Sequence, residues 1–122
     1  MNAFRAAVEA KDLEAMRAAL HPDVVFRSPA VFTEYEGVDT VMGLLSHVVE
    51  VFEDFEYTDE LEGQGTHALI FKARVGDKQL QGLDHLTLDA DGLVTELAVM
   101  IRPLSGLIAV AQAMSARLEA AS

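Results

Sequence analysis

The 122-residue chain is 51% hydrophobic and 24% charged, with three prolines and no cysteine. That excludes a disordered or collagen-like chain, disulfides, thiol nucleophiles and Cys-ligated zinc. Nine basic side chains against twenty acidic ones leave a net charge of −11, a field that repels phosphate backbones and anionic lipid, so neither nucleic acid nor a membrane is an expected partner. The length suits a single domain, 1–122, able to bury about two-thirds of the surface its unfolded form exposes. The longest uncharged run, Pro103–Ala116, is too short to span a bilayer. Residues 1–20 carry Arg5, Glu9, Lys11, Asp12, Glu14 and Arg17 with no apolar signal core, so a cytoplasmic location is expected.

Residues 2–10 and 12–20 read as two short helices, with Phe4, Val8, Leu13, Met16 and Leu20 at helical spacings and Asp12 as a cap. Pro22 ends the pair, placing His21 at a helix end. Val24–Ser28 alternates as a strand, and a loop through Pro29, Phe32 and Tyr35 reaches Gly37. A third helix is predicted over 38–52, with Val41, Leu44, Leu45, Val48 and Phe52 inward. Strand-like segments follow at about 54–61, 66–75, 79–88 and 93–102, then a helix over 104–119 with Leu104, Leu107, Ile108, Ala111, Met114 and Leu118 on one stripe. The order ααβαββββα separates helices from an antiparallel meander, which is an α+β arrangement.

The last three strands can be registered. A two-residue turn at Gly76-Asp77 sets Val75 opposite Lys78, Phe71 opposite Gly82, Leu69 opposite Asp84 and His67 opposite Leu86. The turn at Asp89–Gly92 sets Leu88 opposite Leu93 and Asp84 opposite Leu97, and His85 against Glu96 on the other face. One face then carries His67, Leu69, Phe71, Ala73, Leu80, Asp84, Leu86, Leu88, Leu93, Leu97, Val99 and Ile101: two titratable groups in an apolar surface. The outer face sets Ile70, Leu83 and Ala98 side by side with Met100 nearby. This patch favours a homodimer, although cover by the last helix would also hide it.

The run Gly82-Leu83-Asp84-His85-Leu86-Thr87-Leu88-Asp89-Ala90-Asp91-Gly92-Leu93-Val94, after an ααβα opening with Asp12-Leu13 between its first helices, resembles the nuclear transport factor 2-like superfamily. The likeness is nearest to its SnoaL-like and ketosteroid-isomerase-like branch. It implies a cone-like curved sheet wrapped around helices and enclosing an apolar pocket, often in a homodimer. The isomerase members use an aspartate base, a tyrosine and a protonated aspartate that donates to the oxyanion. By resemblance Asp84 matches the protonated aspartate, Ser28 stands at the base position and Phe4 at the helix-one tyrosine. Serine does not abstract a proton unaided and phenylalanine has no donor, so ketosteroid isomerisation by that route is not expected.

Desolvation among Leu69, Leu86 and Leu97 raises the Asp84 pKa, making it a candidate acid or hydrogen-bond donor, or else a buried structural carboxyl. His67, diagonal to Asp84 on the same face, is its candidate proton partner unless the strand end turns it to solvent. Strict alternation groups Phe55, Tyr57, Asp59 and Leu61, but a bulge in this acidic run would send Asp59 outward. Tyr57, Phe26, Phe71, Leu97 and Ile101 are candidate walls of a ligand pocket, with Ser28 beside them. No P-loop, GxGxxG, GxSxG or HExxH motif occurs, so no cofactor or metal is expected. The expected function is binding of a small hydrophobic oxygenated molecule, with isomerase- or cyclase-like acid–base chemistry by resemblance. The alternative is a non-catalytic binding or dimerisation module. A limonene-epoxide-hydrolase-like activity ranks last, because it needs an inward arginine and the register supplies none.

Overall fold

In the computed structural model, which describes residues 2–121, the chain forms α1 (Ala3–Glu9), α2 (Leu13–Ala19), β1 (Leu20–Arg27), β2 (Glu34–Glu36), α3 (Val38–Val51), β3 (Glu53–Glu62), β4 (Thr66–Val75), β5 (Lys78–Leu88), β6 (Val94–Arg102) and α4 (Leu104–Ala121). The Asn2 side chain accepts the Arg5 N–H and Asp12 accepts the Ala15 N–H, each satisfying a donor that a first helical turn leaves unpaired. None of the described helices is long and apolar enough to cross a membrane.

Six strands form one sheet in the order β2-β1-β6-β5-β4-β3. Its neighbours run antiparallel except β1 and β6, which are parallel. His21 and Pro22 lie inside β1 rather than at a helix end. The β1–β6 ladder is interrupted between Leu20 and Val25, so the missing N–H of Pro22 costs no ladder bond. Glu34–Glu36, read from sequence as loop, pairs with β1; three residues are too few for alternation to register.

The β4–β5 register runs from Val75↔Lys78 to His67↔Leu86, as the two-residue turn dictates. The β5–β6 register differs from the sequence expectation. Asp84 stands opposite Val99 and Leu86 opposite Leu97. Asp89 Oδ1 accepts the N–H groups of both Asp91 and Leu93, which keeps Leu93 in the turn, and a bulge follows between Thr87 and Leu88. Together these displace the register by an even step, so Leu97, Val99 and Ile101 stay on the inner face while Val94 replaces Leu93 there. His85 therefore faces Ala98, not Glu96, and Glu96 instead pairs with Arg27 at 2.6 Å. On the outer face Met100, not Ala98, stands beside Leu83.

The stripe that α4 buries also differs. Gly106 and Val110 are buried and Met114 packs on the core, whereas Leu104, Ile108 and Leu118 are exposed. A Cβ at Gly106 would lie 2.8 Å from Leu80 Cβ, so only the glycine line lets the helix approach β5 this closely. Gly82 works likewise inside the sheet: a Cβ there would lie 2.1 Å from Phe71 Cζ, because the Phe71 ring lies across it. Gly82→Ala is expected to displace that ring and destabilise the fold by about 1–3 kcal/mol in urea unfolding. An unchanged midpoint and slope would show that the ring is not held there.

Candidate functional site

The inner sheet face and the helices enclose a pocket of about 90 Å³. Phe4 and Val8 of α1 and Met16 of α2 form one side, Leu45, Val48 and Val49 of α3 another, and Val110 of α4 closes it beside Pro29. The sheet contributes Phe26, Phe55, Tyr57, Phe71, Asp84, Leu97, Val99 and Ile101. An aromatic cluster shapes the wall. Phe71 stacks on Phe55 at 4.8 Å and packs against Phe52 at 5.4 Å, while Phe55 meets Tyr57 edge-on at 4.9 Å.

The polar centre comes from strand parity and one bulge. The β3–β4 register shifts between Tyr57 and Asp59, leaving Tyr57 buried and turning Asp59 and Leu61 to solvent. The shift brings Glu60 inward, where it accepts from Arg5 Nη1 at 2.9 Å. The Arg5 guanidinium lies over the Tyr57 ring, 5.3 Å from its centroid. Tyr57 Oη donates to Asp84 Oδ2 at 3.1 Å.

Burial pushes the Asp84 carboxyl up from its ordinary value of 3.8 to about 7, with the Tyr57 hydrogen bond pulling the other way. Burial, reinforced by the neighbouring Asp84, also raises the Tyr57 phenol, so Tyr57 stays a donor. Below about pH 7 the pair therefore holds two protons. One lies in the Tyr57–Asp84 bond, and the other is on a carboxylic acid facing an apolar cavity.

The candidates from sequence divide between three places. Asp84, Tyr57, Phe26, Phe71, Leu97 and Ile101 line the pocket together. Ser28 does not line it; it faces a groove beyond Pro29, where its Oγ accepts the Ala30 N–H at 3.0 Å. His67 shares the inner face, but no hydrogen bond joins it to Asp84. Its Nδ1 accepts from Asn2 Nδ2 at 3.2 Å, and it lies within 3.5 Å of Glu60 and 3.2 Å of Glu62. Leu69 and Leu86, each fully buried, stand between the His67 and Asp84 rungs of the ladder. Sequence reasoning missed Lys11, which lines the pocket from the α1–α2 turn; no periodicity governs a turn, so no pattern signals it. Among the described residues no group of three or more His, Cys, Asp or Glu side chains is placed to hold a metal ion.

A SnoaL-like domain family profile matches residues 1–97, from the first helix into β6. The chain belongs to the SnoaL-like domain family. A steroid delta-isomerase from Pseudomonas aeruginosa is similar to this SnoaL-like chain at 39% identity and TM-score 0.92, over 96% of this chain and 87% of that one. A cystatin-like-fold protein from Silicibacter pomeroyi is 32% identical with TM-score 0.91, over 96% and 83%. A nuclear transport factor 2-like protein from Cytophaga hutchinsonii shares the fold at 20% identity and TM-score 0.64, over 83% and 85%. Comparison with curated proteins finds no match.

The raised Asp84 pKa links this SnoaL-like fold to pH with a definite sign. Between pH 3.8 and about 7 the unfolded chain gives up a proton that the folded carboxyl keeps, so this contribution to stability is full below that window and is lost as pH rises through it. Asp84→Asn removes the loss. Its stability relative to wild type is expected to rise between pH 4 and pH 7.5, by up to about 4 kcal/mol, in urea unfolding at each pH. A difference that stays flat with pH would mean that Asp84 titrates normally. Tyr57→Phe removes the one interaction that lowers the Asp84 pKa, so a carboxyl titration followed by carbon NMR should move upward from about 7.

Proposed function

We propose that this protein binds a small, largely apolar molecule through a carbonyl or phenolic oxygen, to which Asp84 donates as a protonated carboxylic acid. The observation that carries this reading is the Tyr57–Asp84 pair, a hydrogen-bonded acid buried in a cavity otherwise walled by hydrocarbon apart from Lys11. A donor in such a place has nothing to bond but a guest or a water. The 39% identity to a Pseudomonas aeruginosa steroid delta-isomerase adds support. The chemistry that fits is isomerase- or cyclase-like: a donated hydrogen bond polarises a ketone and stabilises the oxygen of its enol form.

A specific observation favours the second reading, a binding module without turnover. The lining holds no carboxylate besides Asp84 and no histidine, and Ser28 lies outside it. A proton removed from carbon must then go to a group of the substrate or to water. The volume also matters: about 90 Å³ is below the roughly 150 Å³ apolar cavity that admits a benzene ring. A multi-ring guest therefore needs the aromatic wall to move.

Thermal-shift measurements against steroids, phenols, terpenoids and polyketide-like ketones test the reading. Ligand at about 100 times its Kd should stabilise wild type by roughly 2.7 kcal/mol, and Asp84→Asn should weaken that response at pH 6. Stabilisation that survives Asp84→Asn unchanged would place the ligand elsewhere.

We also propose that the protein pairs with a second copy through the outer sheet face. Ile70, Leu83 and Met100 form one row across β4, β5 and β6 there. The same face carries Arg27, Lys72, Arg74 and Arg102 of a chain with nine basic residues and a charge of −11, so two copies repel one another least when they meet here. Sedimentation should give twice the chain mass for wild type and the single-chain mass for Leu83→Glu. A monomeric wild type at micromolar concentration would end this proposal.

A further inference from the structure

We propose that the cavity's guest carries an anionic group, a carboxylate or its equivalent, that Lys11 holds at the rim while the inner acid pair holds a neutral oxygen. This rests on the binding reading above and narrows its ligand class. Three lining residues are polar: Tyr57, Asp84 and Lys11. The first two are buried, whereas Lys11 is exposed, so the polar contacts lie at two depths with hydrocarbon between.

Lys11 is unengaged. Of nine basic residues, five form ion pairs with carboxylates, Arg102 bonds Gln81 and Arg117 bonds His47. Among the described residues Lys11 and Lys78 make neither an ion pair nor a side-chain hydrogen bond, and Lys78 belongs to the β4–β5 hairpin, outside the pocket lining. The acidic neighbours of Lys11 are otherwise occupied: Glu9 lies 3.5 Å from Arg5 Nε, and Asp12 accepts the Ala15 N–H.

The turn also holds Lys11 in place. Its φ is +53°, a left-handed conformation that side chains other than glycine, asparagine and aspartate seldom adopt. Its N–H donates to the Val8 carbonyl at 3.0 Å, and the following residue caps α2. Backbone relaxation at Lys11 would therefore uncap a helix. The net charge of −11 opposes anions at long range, but physiological salt screens beyond about 8 Å and leaves a contact pair largely intact.

The test compares para-acetylbenzoate and its longer homologue para-acetylphenylpropanoate with their methyl esters, by calorimetry at pH 6 and low salt. Wild type should bind each acid roughly fivefold more tightly than its ester, the factor for unit charges about 4 Å apart in water. Lys11→Gln should equalise the two while leaving ester affinity unchanged. Lys11→Gly, which suits the left-handed backbone, should do the same, so that loss of preference in both variants reports the charge rather than the turn. Esters that bind wild type as tightly as acids, with binding still weakened by Asp84→Asn, would overturn the anionic ligand and leave the cavity reading standing. No saturable binding of either series would overturn both.

Discussion

Keeping the Asp84 carboxyl among hydrocarbon side chains is the constraint on which the site depends. A carboxylate in such surroundings is disfavoured, and Tyr57 supplies its one hydrogen bond from another side chain, at 3.1 Å. That bond crosses the intervening strand β4. It therefore needs the β3 bulge that seats Tyr57 inward, and a Phe71 ring lying flat over Gly82. The aromatic cluster both excludes water from the acid and fixes the strand geometry that presents it. The raised Asp84 pKa is a consequence of packing: the same rings that make the fold make the acid.

The sheet was more legible than the site. Gly76-Asp77 fixes a two-residue turn, so the β4–β5 register follows by counting, and Phe71 falls opposite Gly82. The β5–β6 turn was opaque because Asp89 uses its side chain to hold Leu93 in the loop, and nothing in the alternation of residues records that bond. The inner faces survived only because two irregularities happened to sum to an even displacement. In α4 hydrophobicity pointed to Leu104, Ile108 and Leu118, but steric approach decided, and the glycine line won. Asp84 and its apolar neighbours could be read from parity. The Tyr57–Asp84 bond could not, because it joins strands that are not adjacent in the sheet.

The acidic excess of the chain is kept away from the pocket by small local devices. Glu60 turns inward beside Tyr57 but is met by Arg5, which also touches Glu9 and covers the Tyr57 ring. The Arg5–Glu9 contact is an ion pair without hydrogen-bond geometry, since Arg5 Nε is buried without a hydrogen-bond partner. His67 belongs to this fence, bonded to Asn2 at the start of α1 and close to Glu60 and Glu62. Its placement ties the first helix, and so Phe4 and Val8, to the edge of the sheet. Asp84 is thus the only carboxyl that reaches the pocket lining.

Ligand size follows from the same packing. A guest larger than the pocket must displace rings whose mutual contacts are each worth about 0.5–1.5 kcal/mol beyond their buried area. Phe55 is the ring most free to move, being only partly buried while Phe71 is almost fully so. Its displacement would expose the face of Phe71 and the edge of Tyr57, which a flat apolar guest could cover again at about 25 cal/mol per Å². A ring-shaped guest can therefore take the place of Phe55 at little net cost. A branched or strongly solvated one cannot, because it would leave those aromatic faces wet and the Asp84 proton without an acceptor. The architecture thus selects planar, single-ring molecules with an oxygen at the inner end.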